Sequence, residues 1–204
     1  MSMQKNALIA LIVLALCGYS LVSKADTHDQ DTVIKTIAIL PFSVSIDTTN
    51  LPNGVTEDGL IRAAEIDRHR FQQALFIWFI KKPKRYSVSF QEIMTTNDLL
   101  KQTGLMDSAD MQKPQLCAAL GVDAVITGSV KMIKHSQTLG SSVTKGFVGI
   151  PLSSDNKIQM ELNLYDASGN ILWKRTYTDR GDASPDELID RLLKRAYQTF
   201  PYKK

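Results

Sequence analysis

Residues 157 to 164 alternate without a break. Ile158, Met160, Leu162 and Leu164 take every second place, and Lys157, Gln159, Glu161 and Asn163 stand between them. A period of two sends the two sets to opposite faces of a strand. One buried face and one solvated face mark an antiparallel pair. Asp166-Ala167-Ser168-Gly169-Asn170 supplies the turn, and Ile171 to Thr178 returns as the partner strand. On that strand Ile171, Trp173 and Tyr177 share a face. Trp173 is expected to be buried against a closing helix, near Leu188 and Leu192. Ser184-Pro185-Asp186-Glu187 announces this helix as a capping box with proline at its first position. Leu188, Ile189, Leu192, Leu193 and Ala196 form its apolar stripe, and Lys194 and Arg195 lie near its end.

The preceding residues read as alternating strands and helices. Thr36-Ile37-Ala38-Ile39-Leu40-Pro41-Phe42 is a short apolar run closed by proline, hence a buried first strand. Residues 43 to 55, with Asp47, Asn50, Pro52, Asn53 and Gly54, form a loop. A long helix follows from Thr56 to Lys82. Thr56 is its N-cap, Glu57 and Asp58 suit its first turn, and Pro83 ends it. Its apolar positions are Leu60, Ala64, Phe71, Leu75 and Trp78. Tyr86 to Phe90 is a second strand. Thr95-Thr96-Asn97 starts a short helix that Gly104 ends, and a further helix from Lys113 to Leu120 stops at Gly121. Asp123 to Lys134 is a third strand, with Ala124, Ile126, Val130 and Met132 on one face.

The order β-α-β-α-α-β-β-β-α points to an α+β sandwich, one mixed β-sheet with helices packed on it. Residues 35 to 204 make one domain, preceded by a flexible arm over residues 26 to 34. No internal repeat is present.

The first 25 residues have a separate purpose. Lys5 precedes an apolar run from Ala7 to Leu16, and Ser23-Lys24-Ala25 closes the segment. This is the pattern of a secretory signal peptide, with cleavage expected between Ala25 and Asp26. The run is short for a membrane span. Leu16 is larger than the small residue that normally precedes an acylated cysteine, so secretion in soluble form is expected over lipidation at Cys17. The leader carries Lys5 and Lys24 and no acid, which leaves 22 basic against 21 acidic side chains, a formal charge of +1. So even a balance steers the protein toward neither nucleic acid nor anionic lipid as a whole. Cleavage also leaves Cys117 without an intramolecular partner. It sits in Leu116-Cys117-Ala118-Ala119-Leu120, an apolar stretch that suits a buried, inert thiol.

A search for chemistry finds little. His28, His69 and His135 are scattered, and no His-x-x-x-His or Cys-x-x-Cys spacing indicates zinc. Thr127-Gly128-Ser129-Val130 lacks the setting of a nucleophile elbow, and Gly128 there suits close packing or a bulge. Phosphate-binding glycine loops are absent, and Asp186 and Glu187 are explained by capping. No cofactor and no catalytic role are expected.

Two segments remain. Lys81-Lys82-Pro83-Lys84-Arg85 is the one dense basic run; it reads as a solvated helix end or as a contact for acidic lipid or cell-wall polymer. The long loop from Ser136 to Asn156 joins Gly140, Gly146 and Gly149 to Val143, Phe147, Val148, Ile150 and Leu152. Long loops in small domains are often functional. These five apolar residues are candidate partner contacts, the alternative being an extended hairpin packed on its own domain.

Three segments carry a resemblance: Ile37-Ala38-Ile39-Leu40-Pro41-Phe42, Leu120 to Val130 with its Gly121-Val122-Asp123-Ala124 start, and Leu164 to Trp173 with Tyr165-Asp166-Ala167-Ser168-Gly169. The chain resembles the envelope superfamily of the curli secretion channel CsgG, the TolB amino-terminal domain and the LpoB-type lipoprotein activators of penicillin-binding proteins. Gln91-Glu92-Ile93, Thr96-Asn97 and the ending Phe200-Pro201-Tyr202 resemble a subgroup of secreted bacterial proteins. The resemblance implies an α/β sandwich acting as adaptor, assembly factor or secretion component, and it transfers no catalytic residue. The expectation is a non-catalytic binding or assembly protein of the periplasm or cell envelope, partnered by envelope proteins or by itself, with outer-membrane or cell-wall contact. The alternative is an oligomeric structural or secretion-system component of the outer membrane.

Overall fold

The computed structural model describes residues 33–46, 56–106, 112–134, 144–145, 151–152, 156–181 and 185–204. Contacts divide the chain into Met1–Asp31 and Thr32–Lys204, and the architecture below is that of the second unit. The expected leader, the expected cleavage between Ala25 and Asp26, Cys17 and most of the expected arm lie outside the described residues. Ile34, at the arm's end, is buried in the core.

Strands β1 (Thr36–Ile39), β2 (Ser43–Ile46), β3 (Ser89–Phe90), β4 (Ala124–Lys134), β7 (Asn156–Asp166) and β8 (Ile171–Gly181) form one mixed sheet. A small pair, β5 (Thr144–Lys145) and β6 (Pro151–Leu152), stands apart from it. Helices α1 (Glu57–Ile80), α2 (Ile93–Gln102), α3 (Lys113–Leu120) and α4 (Pro185–Thr199) complete the α+β fold. The sheet order is β3-β1-β4-β7-β8, with β2 also on β4. β1 and β2 both run parallel to β4, while β4, β7 and β8 are successive antiparallel neighbours.

The alternating strand behaves as its pattern demands. Ile158, Met160, Leu162 and Leu164 are fully buried with Ala124, Ile126, Val130 and Met132 of β4. The stripes of α1 and α4 cover this face, and Leu188, Ile189, Leu192, Leu193 and Ala196 all join the same core. Trp173 is buried there too, 5.6 Å from the Phe200 ring. The opposite face is covered only in part, where α2 and α3 bury Ala38, Leu40 and Val125 under Leu100, Leu116, Cys117 and Leu120.

Side chains secure the ends of these elements. Thr56 Oγ1 caps α1 by accepting from Gly59 N. Gly104 and Gly121 take left-handed conformations where α2 and α3 stop. Asp166 closes the β7–β8 turn, its Oδ1 accepting from Ser168 N at 2.9 Å and Asn170 N at 2.8 Å. Asp123 Oδ2 accepts from the backbone of Lys35 and Thr36, which anchors the start of β1.

Four expectations need correction. Residues 43 to 46 are not loop but β2, because Ser43-Val44-Ser45-Ile46 alternates and finds the unused length of β4 beyond β1. Helix α2 starts at Ile93 rather than at Thr95-Thr96-Asn97; Thr96 is fully buried, and its hydroxyl donates to Gln91 Oε1 instead of capping. On α1 Leu60, Phe71 and Leu75 are buried as expected, but Ala63 and Phe79 take the inward places expected of Ala64 and Trp78, which are only partly buried. Ile171 does not share the face of Trp173. The β7–β8 register shifts between Leu164↔Trp173 and Tyr165↔Ile171, and the irregularity leaves Ile171 54% exposed.

Candidate functional site

The second face of the sheet holds a cleft of about 740 Å³ at the point where α2 and α3 stop covering it. Thr127, Ser129, Glu161 and Asn163 line it from β4 and β7. These are the polar positions of the two alternating strands. Their partners on the other face must be apolar, so a period of two forces them outward. Lys113 and Leu116 of α3 form one wall, and Ile61, Ala64 and Arg68 of α1 face the other side with Leu105 and Met106.

The α1 wall is held in place by its backbone and by Arg68. Phe42 N donates to Arg68 O at 3.2 Å, which ties the link between β1 and β2 to the helix. The Arg68 guanidinium donates to Met106 O at 3.1 Å and pairs with Glu65 at 2.9 Å. Gln72 joins the next turn to α2: its Nε2 donates to Ile39 O at 2.7 Å and to Asn97 Oδ1 at 2.9 Å, and Asn97 Nδ2 donates back to Gln72 Oε1. Gln91 Nε2 donates to Leu120 O, linking α2's approach to the end of α3. Gln91, Thr96 and Asn97 are thus parts of the scaffold behind the cleft.

The strand side carries an organised charge. Glu161 accepts from Asn163 Nδ2 at 3.0 Å and pairs with Lys174 Nζ at 3.2 Å. The hydrogen bond from Asn163, then that from Lys174, hold its carboxyl below the ordinary glutamate value. Asn163 Oδ1 is buried and accepts no hydrogen bond from the described residues. The Lys113 ammonium stands 5.6 Å from the Tyr165 ring centroid. The rim therefore offers hydroxyls, an amide and ion pairs above apolar walls. No histidine or cysteine lines it, and among the described residues no three His, Cys, Asp or Glu gather in a way that could hold a metal.

Val143, Phe147, Val148 and Ile150 fall outside the described residues. Leu152 lies in β6, opposite Thr144, with Lys145 opposite Pro151. His69 pairs locally with Glu65 at 3.8 Å. Cys117 is fully buried, and burial, reinforced by Asp166 and Asp123, pushes its thiol up to about 11. The cleft itself escaped sequence reading. Its lining comes from segments far apart in the chain, and its polar members, Thr127, Ser129, Glu161 and Asn163, each look like ordinary solvated positions.

No protein-family profile matches the sequence, and no curated protein matches it. Among solved structures the chain is similar to lipoprotein GNA1162 from Neisseria meningitidis, at 14% identity over 80% of this chain and 96% of that one, with a TM-score of 0.44. It is also similar to PelC dodecamers from Paraburkholderia phytofirmans in two crystal forms. One has 12% identity over 79% of this chain and 84% of that one, TM-score 0.39; the other has 16% identity over 78% and 84%, TM-score 0.33. The likeness is distant and one of fold.

Proposed function

We propose that this chain is a non-catalytic binding or assembly module of the cell envelope, periplasmic or secreted, which seats a segment of a partner protein in the cleft. The cleft carries the reading. Its size is that of ligand sites, which combine apolar walls with a few placed polar groups. Glu65 and Glu161 are already paired with Arg68 and Lys174, so these carboxylates are not left to select a charged small molecule. Apolar walls suit side chains, while Asn163 and the exposed Ser129 suit the polar backbone between them. The leader at residues 1 to 25 supports delivery to the envelope.

Capture from envelope extract tests this, with the full chain and its Ser129→Trp variant as baits. Ser129 is exposed, so the indole fills the cleft without entering the core. A partner retained by the parent and lost from the variant is expected. Hydrolysis of a substrate by the purified protein, abolished by one point substitution, would replace this reading with an enzymatic one.

A second reading, self-association, is favoured by β8. This strand of 11 residues ends the sheet, and no described strand pairs with its outer side. Long edges invite further pairing, although Lys174, Arg175 and Arg180 place charge along this one. Light scattering separates the two: a strict monomer at all concentrations rules out the oligomer.

A further inference from the structure

Away from the cleft, the end of α1 gathers charge and exposed apolar surface in one place. Ile77, Ile80 and the C-cap Lys81 follow at helical spacing of three and four, which puts them on one side. Ile77 is 41% and Ile80 44% exposed, on a helix whose inner residues are almost fully buried. Lys82, Lys84 and Arg85 continue into the short turn Pro83–Arg85. The chain's last residues then return to the same spot. Tyr86 bridges Lys203, and Lys204 N donates to Arg85 O at 2.8 Å. The fold thereby adds Lys203 and Lys204 to the basic run.

No ion pair joins Lys81, Lys82, Lys84, Arg85, Lys203 or Lys204 to a carboxylate of the described residues. Aromatic rings hold two of them instead: Lys81 Nζ lies 4.3 Å from the Trp78 ring, and the Arg85 guanidinium 4.8 Å from the Tyr197 ring. Asp190 is engaged by Trp78 Nε1. Burial, and then the Arg85 cation, draw the Lys203 ammonium below the ordinary lysine value. Like charge repels itself, and the two isoleucines meet water beside it.

A layer of anions with hydrocarbon directly beneath it relieves both. We propose that this face docks on the surface of an anionic phospholipid bilayer, with the lysines among the headgroups and Ile77 and Ile80 at the acyl boundary. A soluble polyanion would answer the lysines but offer nothing to the isoleucines. This proposal does not depend on the cleft.

Vesicle sedimentation of the chain from Asp26 tests it, with phosphatidylcholine vesicles containing roughly one third phosphatidylglycerol and vesicles of phosphatidylcholine alone. The apolar run from Ala7 to Leu16 is left out because it would bind either vesicle by itself. Lys81→Glu/Lys84→Glu is expected to weaken binding to the anionic vesicles by about tenfold or more, with no change on neutral ones. Raising salt from about 0.1 M to 0.5 M should remove that difference. Ile77→Ser/Ile80→Ser should also weaken binding and leave the salt dependence intact. Lys82→Glu/Lys204→Glu provides a second charge reversal should the first disturb folding, which thermal melting reports. Equal binding by parent and reversal variants overturns the proposal. So does binding to soluble polyglutamate as strong as to vesicles and indifferent to the isoleucine changes.

Discussion

A Cβ built on Gly128 would lie 2.4 Å from Cε1 of Phe42. The glycine in the middle of β4 is therefore the floor on which the Phe42 ring rests, and Phe42 in turn packs at a tilt against Phe71 of α1, with ring centroids 5.9 Å apart. This contact sets how closely the link between β1 and β2 approaches β4, next to the cleft.

Gly128→Ala should destabilise the protein by about 1–3 kcal/mol through overpacking, read as a lower melting temperature. Phe42→Leu in the same chain should recover part of that loss. A double-mutant cycle with no coupling between the two positions would show that the ring yields freely.

Trp173→Ala should cost about 3–5 kcal/mol, because Trp173 is buried against Phe200 within an aromatic cluster that includes Phe79, Tyr86 and Phe90. Urea denaturation checks the size. A variant with unchanged midpoint would mean that the cluster closes over the gap.

Asn97→Ala should cost about 1–3 kcal/mol, since it strips the buried Gln72 amide of its reciprocal partner. Gln72 keeps its bond to Ile39 O, so the loss should stay below that of Trp173→Ala. Chemical denaturation of the two variants side by side gives the order.

Cys117 should resist alkylation at about pH 8 in the folded protein and react once the chain unfolds; peptide mass mapping locates the label. The sign of its pH effect follows from its raised pKa. Between the ordinary thiol value of 9.0 and about 11 the folded state keeps a proton that the unfolded chain releases. Its contribution to stability is complete below that window and declines as pH rises through it. Cys117→Ala should flatten that decline in melting temperature.

Protein recovered from the periplasm should have lost residues 1 to 25 and begin at Asp26. Intact mass decides this. A mass raised by a diacylglycerol on Cys17 would show that lipidation, not release, is the pathway.

Much of the fold was legible because local physics and tertiary packing agree. The period of two over residues 157 to 164 allowed one outcome once one face was buried. Thr56, Gly104, Gly121 and Pro185 mark helix limits by backbone chemistry that does not depend on distant partners. Where the two levels compete, the sequence misled. Ser43 to Ile46 has too short a pattern to be read as a strand, and it becomes one because β4 offers it backbone partners. Thr96 has the chemistry of a cap, yet the Gln91 amide and the packing of α2 draw it inward. The register shift at Ile171 depends on how β7 pairs with β8, a relation between strands that neither strand encodes alone.

By itself, then, the sequence determined the α+β class, the apolar stripes that must be buried and the turn at Asp166, all of which follow from spacing and backbone preference. Tertiary structure alone decided the cleft and the basic face. Each is a meeting of distant segments: Arg68 with Met106 beside Glu161 and Asn163 in one case, Lys203 and Lys204 with Arg85 in the other. Side chains that look merely solvated along the chain acquire a shared environment only when long-range packing brings their backbones within hydrogen-bonding distance.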